Sequence, residues 1–371
     1  HLKYKDTVNY GSYYTPKWLV DIVYDILKKN IDNFQDYYIV DTSCGYGGFL
    51  RGENTIGADI DEKAILIAKK QNPQHTYFNH NSLFDISRTQ YNLTECDKLI
   101  IVGNPPYNDT TSIIRNSIKQ EKYLRDNDVL SRDLGISFLL SYNKIHADYI
   151  CVLHPLSYLI KKTNFESLGS FKANYILKDS IIVSSAVFSE TSKITSFPII
   201  IAFYERFIFG MDFDFISNYT FKTLEGKSFS INQFDKISNY ITKYPNQSYI
   251  DKDDTIAHFW TMRDINALKR TKTFIDKESY NTIRVTQTKL PYYCYVDIFK
   301  EYIPHIPYYF GNSDIMIDNG YFNEIKDAFM NKCIRKYPAL KKYINENQTI
   351  NNANEIIDKY FIKLLGVHYV D

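Results

Sequence analysis

Between residues 37 and 204 the chain repeatedly sets a short, near-continuous apolar run ahead of a longer stretch with helical periodicity. The runs are 38–41, 55–59, 98–102, 149–153 and 197–203; helical candidates such as 62–70 and 136–146 lie between them. Successive side chains of a strand point to opposite sides, so a run that is apolar throughout needs both faces covered. Strands of that kind alternating with helices predict a doubly wound, Rossmann-like α/β sheet, which binds ligands at the carboxyl ends of its strands. After about Gly210 the alternation fails. With 371 residues to accommodate, two domains are the natural division, and the pattern puts them at 1–209 and 210–371, the second of mixed or unclear class.

The chemistry-bearing residues sit where such strands end. The first run closes on Asp41 and opens into Thr42, Ser43, Cys44, Gly45, Tyr46, Gly47 and Gly48. A glycine-rich strand-to-helix turn lets backbone approach a ligand, though a bare tight turn uses glycine equally. An acid in this place suits a cationic ligand group better than a pyrophosphate. The second run closes on Asp59, where a carboxylate can accept from both hydroxyls of a ribose. Asp61 is the rival, and its position suits capping of the helix beginning near Glu62. The absence of G-x-G-x-x-G makes a nicotinamide dinucleotide the weaker expectation.

The third run ends in Asn104-Pro105-Pro106-Tyr107. Two consecutive prolines cannot continue a sheet, so this tetrapeptide is a stiff turn at the strand's carboxyl end. It offers one amide oxygen, one neighbouring backbone carbonyl and one aromatic ring. Those are what an aryl amine needs before it attacks a methyl group. Two acceptors hold its two protons and free the nitrogen lone pair, while a ring stacks on the base.

Composition narrows the partners. A formal charge of +1 supplies no global field for a polyanion, so a nucleic-acid reading requires a local basic surface. The 5 cysteines are scattered with no C-x-x-C pair, which argues against a disulfide framework or structural zinc and for a reducing, cytoplasmic setting. No apolar run approaches the roughly 20 residues needed to cross a bilayer. No His, Cys and carboxylate cluster has metal-ligand spacing, so no metal is expected.

From about Gly11 to Tyr204 the motifs, in order, resemble the S-adenosylmethionine-dependent amino-group DNA methyltransferases with an Asn-Pro-Pro-Tyr motif, in the arrangement termed gamma. The stretch containing Tyr14, Thr15 and Pro16 resembles that family's N-terminal cofactor motif. The loop 41–50 resembles its glycine loop, with Thr42 in place of Pro and Tyr46 in place of Ser. Gly57-Ala58-Asp59-Ile60-Asp61 matches its ribose-binding segment. The resemblance implies S-adenosyl-L-methionine bound by Tyr14, Thr15, Pro16, Asp41, Thr42, Ser43, Gly45, Asp59, Ile60, Asn81, Ser82 and Asn104. Asn81 stands where the family has an Asp that contacts the cofactor adenine. Catalysis is implied at Asn104, Pro105, Pro106 and Tyr107, with Phe188 adding a second aromatic contact to the target base. Leu134 to Phe138, following Asp133, resembles a helix that helps seat the cofactor, with buried packing as the plainer reading.

The resemblance further implies a flipped-out adenine methylated at N6, double-stranded DNA as partner, and a separately encoded restriction endonuclease acting beside a monomeric modification enzyme. Residues 210–371 become a target-recognition domain. There Arg263, Lys269, Arg270, Lys272, Arg284, Gln287 and Lys289 are the candidate nucleic-acid contacts; a solvated charged surface is the plainer reading. RNA adenine methylation and methylation of a release-factor glutamine remain alternatives, because Asn-Pro-Pro-Tyr occurs with both.

Overall fold

The computed structural model describes residues 15–107, 124–188, 196–245, 250, 252–343 and 352–371. The chain divides into two compact units, His1–Ser230 and Ile231–Asp371.

The first unit is built on a seven-stranded sheet: β1 (Tyr38–Asp41), β2 (Thr55–Asp59), β3 (Thr76–Asn79), β4 (Leu99–Gly103), β5 (Tyr149–Pro155), β6 (Tyr175–Ser184) and β7 (Pro198–Arg206), in the order β3-β2-β1-β4-β5-β7-β6. Strands β3, β2, β1, β4 and β5 pair in parallel, and β7 runs antiparallel to both β5 and β6. This is the doubly wound α/β sheet expected from the alternation, with one antiparallel strand inserted near its edge. The edge strands were the ones not foreseen as apolar runs. β3 is only four residues long and half exposed. β6 has its apolar run broken by Lys178 and Asp179 at a register shift, which an edge tolerates because only one side is paired.

Helix α1 (Lys17–Asn30) shows how the sequence builds the layers. Pro16 stands immediately before its first residue, Lys28 and Lys29 occupy its last turn, and Leu19, Val20, Val23, Tyr24, Ile26 and Leu27 form its buried stripe. That stripe packs on Ile39, Ile100, Val102, Cys151 and Leu153. The intervening residues Val40, Ile101 and Val152 face the other way and are equally buried. Each such side chain removed from water contributes about 1.5–3 kcal/mol. Helix α2 (Glu62–Gln71) rests Ile65 and Ala68 on Leu50 and Tyr77. Helix α3 (Leu134–Lys144) is buried along most of its length. Short helices α4 (Ser157–Ile160), α5 (Lys162–Glu166) and α6 (Gly169–Asn174) lead into β6.

The junction expected near Gly210 lies inside this unit. Helix α7 (Phe213–Asn218), β8 (Phe221–Lys222) and β9 (Ser228–Phe229) follow it. They are tied to β6 through Leu224, whose N–H donates to the Ile182 carbonyl at 2.9 Å, and through the Tyr219 and Ser180 hydroxyls, 3.2 Å apart.

The second unit pairs β10 (Asp235–Lys236) with β14 (Met316–Ile317) and builds an antiparallel sheet from β11 (Ala257–Trp260), β12 (Phe274–Ile275) and β13 (Thr282–Val285). Its helices are α8 (Ile265–Arg270), α9 (Leu290–Tyr302), α10 (Asn319–Lys336) and α11 (Ala353–Leu365). Tyr295, Phe322, Phe329, Tyr360 and Phe361 meet there ring against ring, so part of the chain's aromatic content serves this core. Among the described residues no helix is long and apolar enough to cross a membrane.

Candidate functional site

The carboxyl ends of β1, β2 and β4 lie side by side, and the polar residues singled out in the sequence gather there. Asp41 closes β1 and is almost wholly buried. Its Oδ1 accepts from the Ser43 N–H at 3.1 Å, and no basic side chain among the described residues pairs with it. Burial pushes its carboxyl up to about 8; the Ser43 N–H opposes that and the nearby Asp59 adds to it. A buried acid without a cation is a position that a positively charged ligand group would fill.

Asp59 closes β2 and ties the glycine loop to it. Oδ2 accepts from the Gly45 N–H at 2.8 Å and Oδ1 from the Asp61 N–H at 2.9 Å. Burial raises its carboxyl as well, against the pull of those two N–H donors. Each carboxylate oxygen retains further acceptor capacity. Asp61 caps α2, accepting from the Lys63 N–H at 3.0 Å. A Cβ added at Gly45 or Gly48 would meet nothing within 4 Å, so the loop is open on that side. Beside it Ile60 and Tyr46 are exposed. The Ser43 hydroxyl oxygen is buried without a hydrogen-bond partner.

At the end of β4, Asn104 donates from Nδ2 to the Thr15 hydroxyl at 3.2 Å, while its Oδ1 is buried and without a partner. An unsatisfied buried acceptor costs about 1–3 kcal/mol. Pro105 is buried and Pro106 and Tyr107 are half-buried. Tyr107 packs against the same apolar cluster as α1. Its Cβ also faces Gly135 at the start of α3, where an added Cβ would lie 3.1 Å away. Asp133 caps that helix by accepting from the Gly135 N–H at 2.9 Å, and it accepts from the Tyr158 hydroxyl too. Burial of Leu134 through Phe138 agrees with the plainer reading of that segment.

Other predicted residues have different surroundings. Pro16 caps α1, and its carbonyl accepts from the Leu19 N–H at 3.0 Å. Thr42 and Ser82 are buried, the Ser82 hydroxyl donating to the Thr42 carbonyl at 2.8 Å. Asn81 uses both ends of its amide locally: Oδ1 accepts from the Leu83 N–H at 3.0 Å and Nδ2 donates to the Leu124 carbonyl at 2.7 Å. These two bonds shape the loop and leave one N–H and one lone pair of the amide. Phe188 is 2% exposed and belongs to the same apolar cluster as Val183 and Phe203. Tyr14 lies outside the described residues.

In the second unit Arg263, Lys269, Arg270, Lys272, Gln287 and Lys289 are exposed. Arg284 is not available in the same way. Its Nε donates to Glu278 at 2.8 Å and its guanidinium reaches the Ile250 carbonyl at 2.7 Å, which makes it a brace for β13.

Sequence reasoning passed over Gly103, Gly135 and Tyr158, which shape the Asn-Pro-Pro-Tyr turn. Only the position of Gly103, directly before Asn104, gave any signal.

No family model matches the sequence, and no curated protein matches it. Among solved structures, the chain is similar to a putative class I S-adenosylmethionine-dependent methyltransferase from Listeria monocytogenes, with 16% identity, 59% of this chain and 67% of that one covered, and a TM-score of 0.41. It is similar to a modification subunit of a putative type I restriction enzyme from Vibrio vulnificus at 15% identity, covering 58% of this chain and 47% of that one, with a TM-score of 0.40. A putative RNA methyltransferase from Pyrococcus horikoshii matches at 12% identity over 54% of this chain and 88% of that one, with a TM-score of 0.33. The chain thus spans about half the length of the restriction-system subunit. Likeness this distant leaves function to be read from the site itself.

Proposed function

We propose that this protein is an S-adenosylmethionine-dependent methyltransferase that methylates N6 of an adenine flipped out of double-stranded DNA. The observation that carries the reading is the Asn104 amide: its oxygen is buried and unpaired at the carboxyl end of β4, beside the Pro105 carbonyl and the Tyr107 ring. An aryl amine with two protons to place fits that pair of acceptors.

The residues at the neighbouring strand ends fit the cofactor. Asp41, buried without a cation, would hold the ammonium of its methionine part. Asp59 would accept from the ribose hydroxyls at the same edge where it holds the Gly45 N–H. The open side of Gly45 and Gly48 leaves room for a nucleoside, with Ile60 offering an apolar surface. Two acids, neither paired with a basic side chain among the described residues, suit this net cation better than a pyrophosphate. When bound, S-adenosylmethionine supplies an electrophilic methyl group on a sulfonium.

Catalysis by the chain is then mostly orientation. Asn104 Oδ1 and the Pro105 carbonyl accept the two protons of the target amine, Tyr107 stacks on the base, and the prolines hold the turn stiff. The amine needs no activating base, because it loses its proton after attack. Placement and fixed dipoles account for most of the rate. The exposed basic residues of the second unit supply phosphate contacts that a chain of net charge +1 lacks overall. A separate endonuclease is the partner this activity calls for, and the enzyme works as a monomer in the cytoplasm.

The test is transfer from labelled S-adenosylmethionine to mixed-sequence duplex DNA, total RNA or release factor, with Asn104→Ala in parallel. Label recovered as N6-methyladenine in DNA, and absent with the variant, supports the proposal. Label only in RNA or protein overturns the substrate.

A further inference from the structure

Three helices of the second unit end at one place. The segment 271–273 leaves the last turn of α8 and lies against the last turns of α9 and α10. The Thr271 carbonyl accepts from Lys300 Nζ, in the last turn of α9. The Thr273 hydroxyl donates to Asp297, also on α9, and lies 3.0 Å from the hydroxyl of Tyr337, the residue that follows α10. Lys336, the last residue of α10, donates to the two Asp297 oxygens at 3.1 and 3.0 Å.

Each helix carries cations into this convergence: Lys269 and Arg270 from α8, Lys300 from α9 and Lys336 from α10, with exposed Lys272 in the segment between. The charges do not cancel. Asp297 pairs with Lys336, and Glu301 pairs with Lys332 at 2.8 Å. Lys269, Arg270, Lys272 and Lys300 make no ion pair among the described residues. A cation in a last turn offsets the helix dipole, but each dipole end carries only about half a charge, so three ends account for about one and a half of these four.

Lys300 shows the imbalance most directly. Its ammonium is half-buried and has three donors, of which the Thr271 carbonyl takes one. Burial holds its pKa below the usual lysine value, the charge of Lys336 adds to that, and Asp297 opposes it. An anion placed there supplies acceptors to the ammonium and a counter-charge to the cluster. Exposed Lys269, Arg270 and Lys272 around a half-buried Lys300 make an open face, not a closed cup. Such a face suits a chain of phosphates better than a single free ion.

We infer that this convergence is a phosphate-binding face whose ligand is the backbone of duplex DNA, with Lys300 its innermost contact beside Lys269, Arg270 and Lys272. The inference rests on the function proposed above and deepens it. Spacing alone left Lys300 apart from the basic residues of 263–289, because it stands at the end of the largely buried α9.

The experiment measures Kd for mixed-sequence duplex DNA across a salt series, with wild type, Lys300→Gln, Lys300→Arg and Lys359→Gln. Gln keeps an N–H for the Thr271 carbonyl and removes the charge; Arg keeps the charge. Lys359, paired with Glu355 on α11 at 2.6 Å, is the control for charge lost elsewhere on the unit. Lys300→Gln is expected to weaken binding about five- to tenfold at about 0.1 M salt and to reduce the slope of log Kd against log salt by about 1, with Lys300→Arg and Lys359→Gln within about twofold of wild type. In wild type, duplex DNA should slow acetylation of Lys300 but not of Lys359, read by mass spectrometry, a measurement that no folding defect of a variant can disturb. A Gln variant with wild-type Kd and slope overturns the inference. So does an Arg variant as weak as Gln, or a Lys300 acetylated equally fast with and without DNA. If wild type methylates DNA while one of these results appears, the inference fails alone. Wild type that neither binds nor methylates duplex DNA sinks the proposed function as well.

Discussion

The Asp41 carboxylate lies directly against the backbone of Gly103: a Cβ added there would stand 2.7 Å from Asp41 Oδ1, and Gly103 has φ +143°. The ends of β1 and β4 converge at this point, which brings the buried acid and the Asn-Pro-Pro-Tyr turn into one site. Only glycine meets both demands, since the backbone angle disfavours any Cβ and the carboxylate occupies its space.

Gly103→Ala is therefore expected to destabilise the protein by about 1–3 kcal/mol and to displace Asn104. Urea unfolding reads the first effect and methyl transfer the second. An alanine variant with unchanged midpoint and rate would falsify the proposed crowding.

Asp41 sets a pH dependence whose sign follows from burial. Its carboxyl is raised to about 8 from an ordinary value of 3.8. The folded state thus holds a proton that the unfolded chain has released. Its stabilising contribution is complete below about pH 4 and is lost as pH rises toward 8. Asp59 is shifted in the same direction. Asp41→Asn should flatten this dependence, narrowing the difference between melting temperatures at pH 6 and pH 8 in the ligand-free protein. A cationic ligand draws the proton off, so affinity for S-adenosylhomocysteine should rise over the same interval in wild type only. Parallel curves for the two proteins would contradict the assignment.

Gly135 leaves the gap in which Tyr107 and Tyr158 approach. A Cβ there would lie 2.5 Å from the Tyr158 hydroxyl oxygen and 3.1 Å from Tyr107 Cβ. Gly135→Ala should cost about 1–3 kcal/mol by overpacking and slow transfer by moving the Tyr107 ring. The two readouts are thermal unfolding and single-turnover rate, and a variant normal in both would show that the gap is not needed.

The basic residues of the second unit divide by what they touch. Arg284→Ala removes the brace to Glu278 and the Ile250 carbonyl and is expected to lower stability. It should leave the salt dependence of DNA binding nearly unchanged. Alanine at Arg263, Lys269, Arg270, Lys272 or Lys289 should instead flatten the plot of log Kd against log salt, by about 1 for each DNA phosphate left without its cation. Titrations at several salt concentrations distinguish the groups, and a reversed ranking would mean that Arg284 is the residue that meets phosphate.

Much of the sheet was legible because a strand covered on both faces must be apolar throughout. The runs at 38–41 and 55–59 coincide with β1 and β2. The run at 98–102 falls one residue short of β4, which ends at Gly103. An edge strand faces no such demand, so β6, with Lys178 and Asp179 inside it, left no comparable trace. The two compact units divide between Ser230 and Ile231, beyond the junction expected near Gly210; the residues between bury Met211, Ile216, Phe221 and Phe229 without the strand–helix alternation that marked the sheet.

The sequence by itself determined which chemistry stands at each strand end: Asp41 and the glycine loop, Asp59, and Asn104 through Tyr107. Those follow from local rules, since prolines stop a strand where they occur and a run of apolar residues marks its own length. Only the tertiary structure decided which polar atoms remain available. Asn81 bonds Leu83 and Leu124, Arg284 bonds Glu278 and Ile250, and Phe188 lies in the apolar cluster. Asn104 donates from Nδ2 to Thr15, while its Oδ1 is buried without a partner. Hydrogen-bond satisfaction depends on neighbours that are distant along the chain, and spacing carries no record of them.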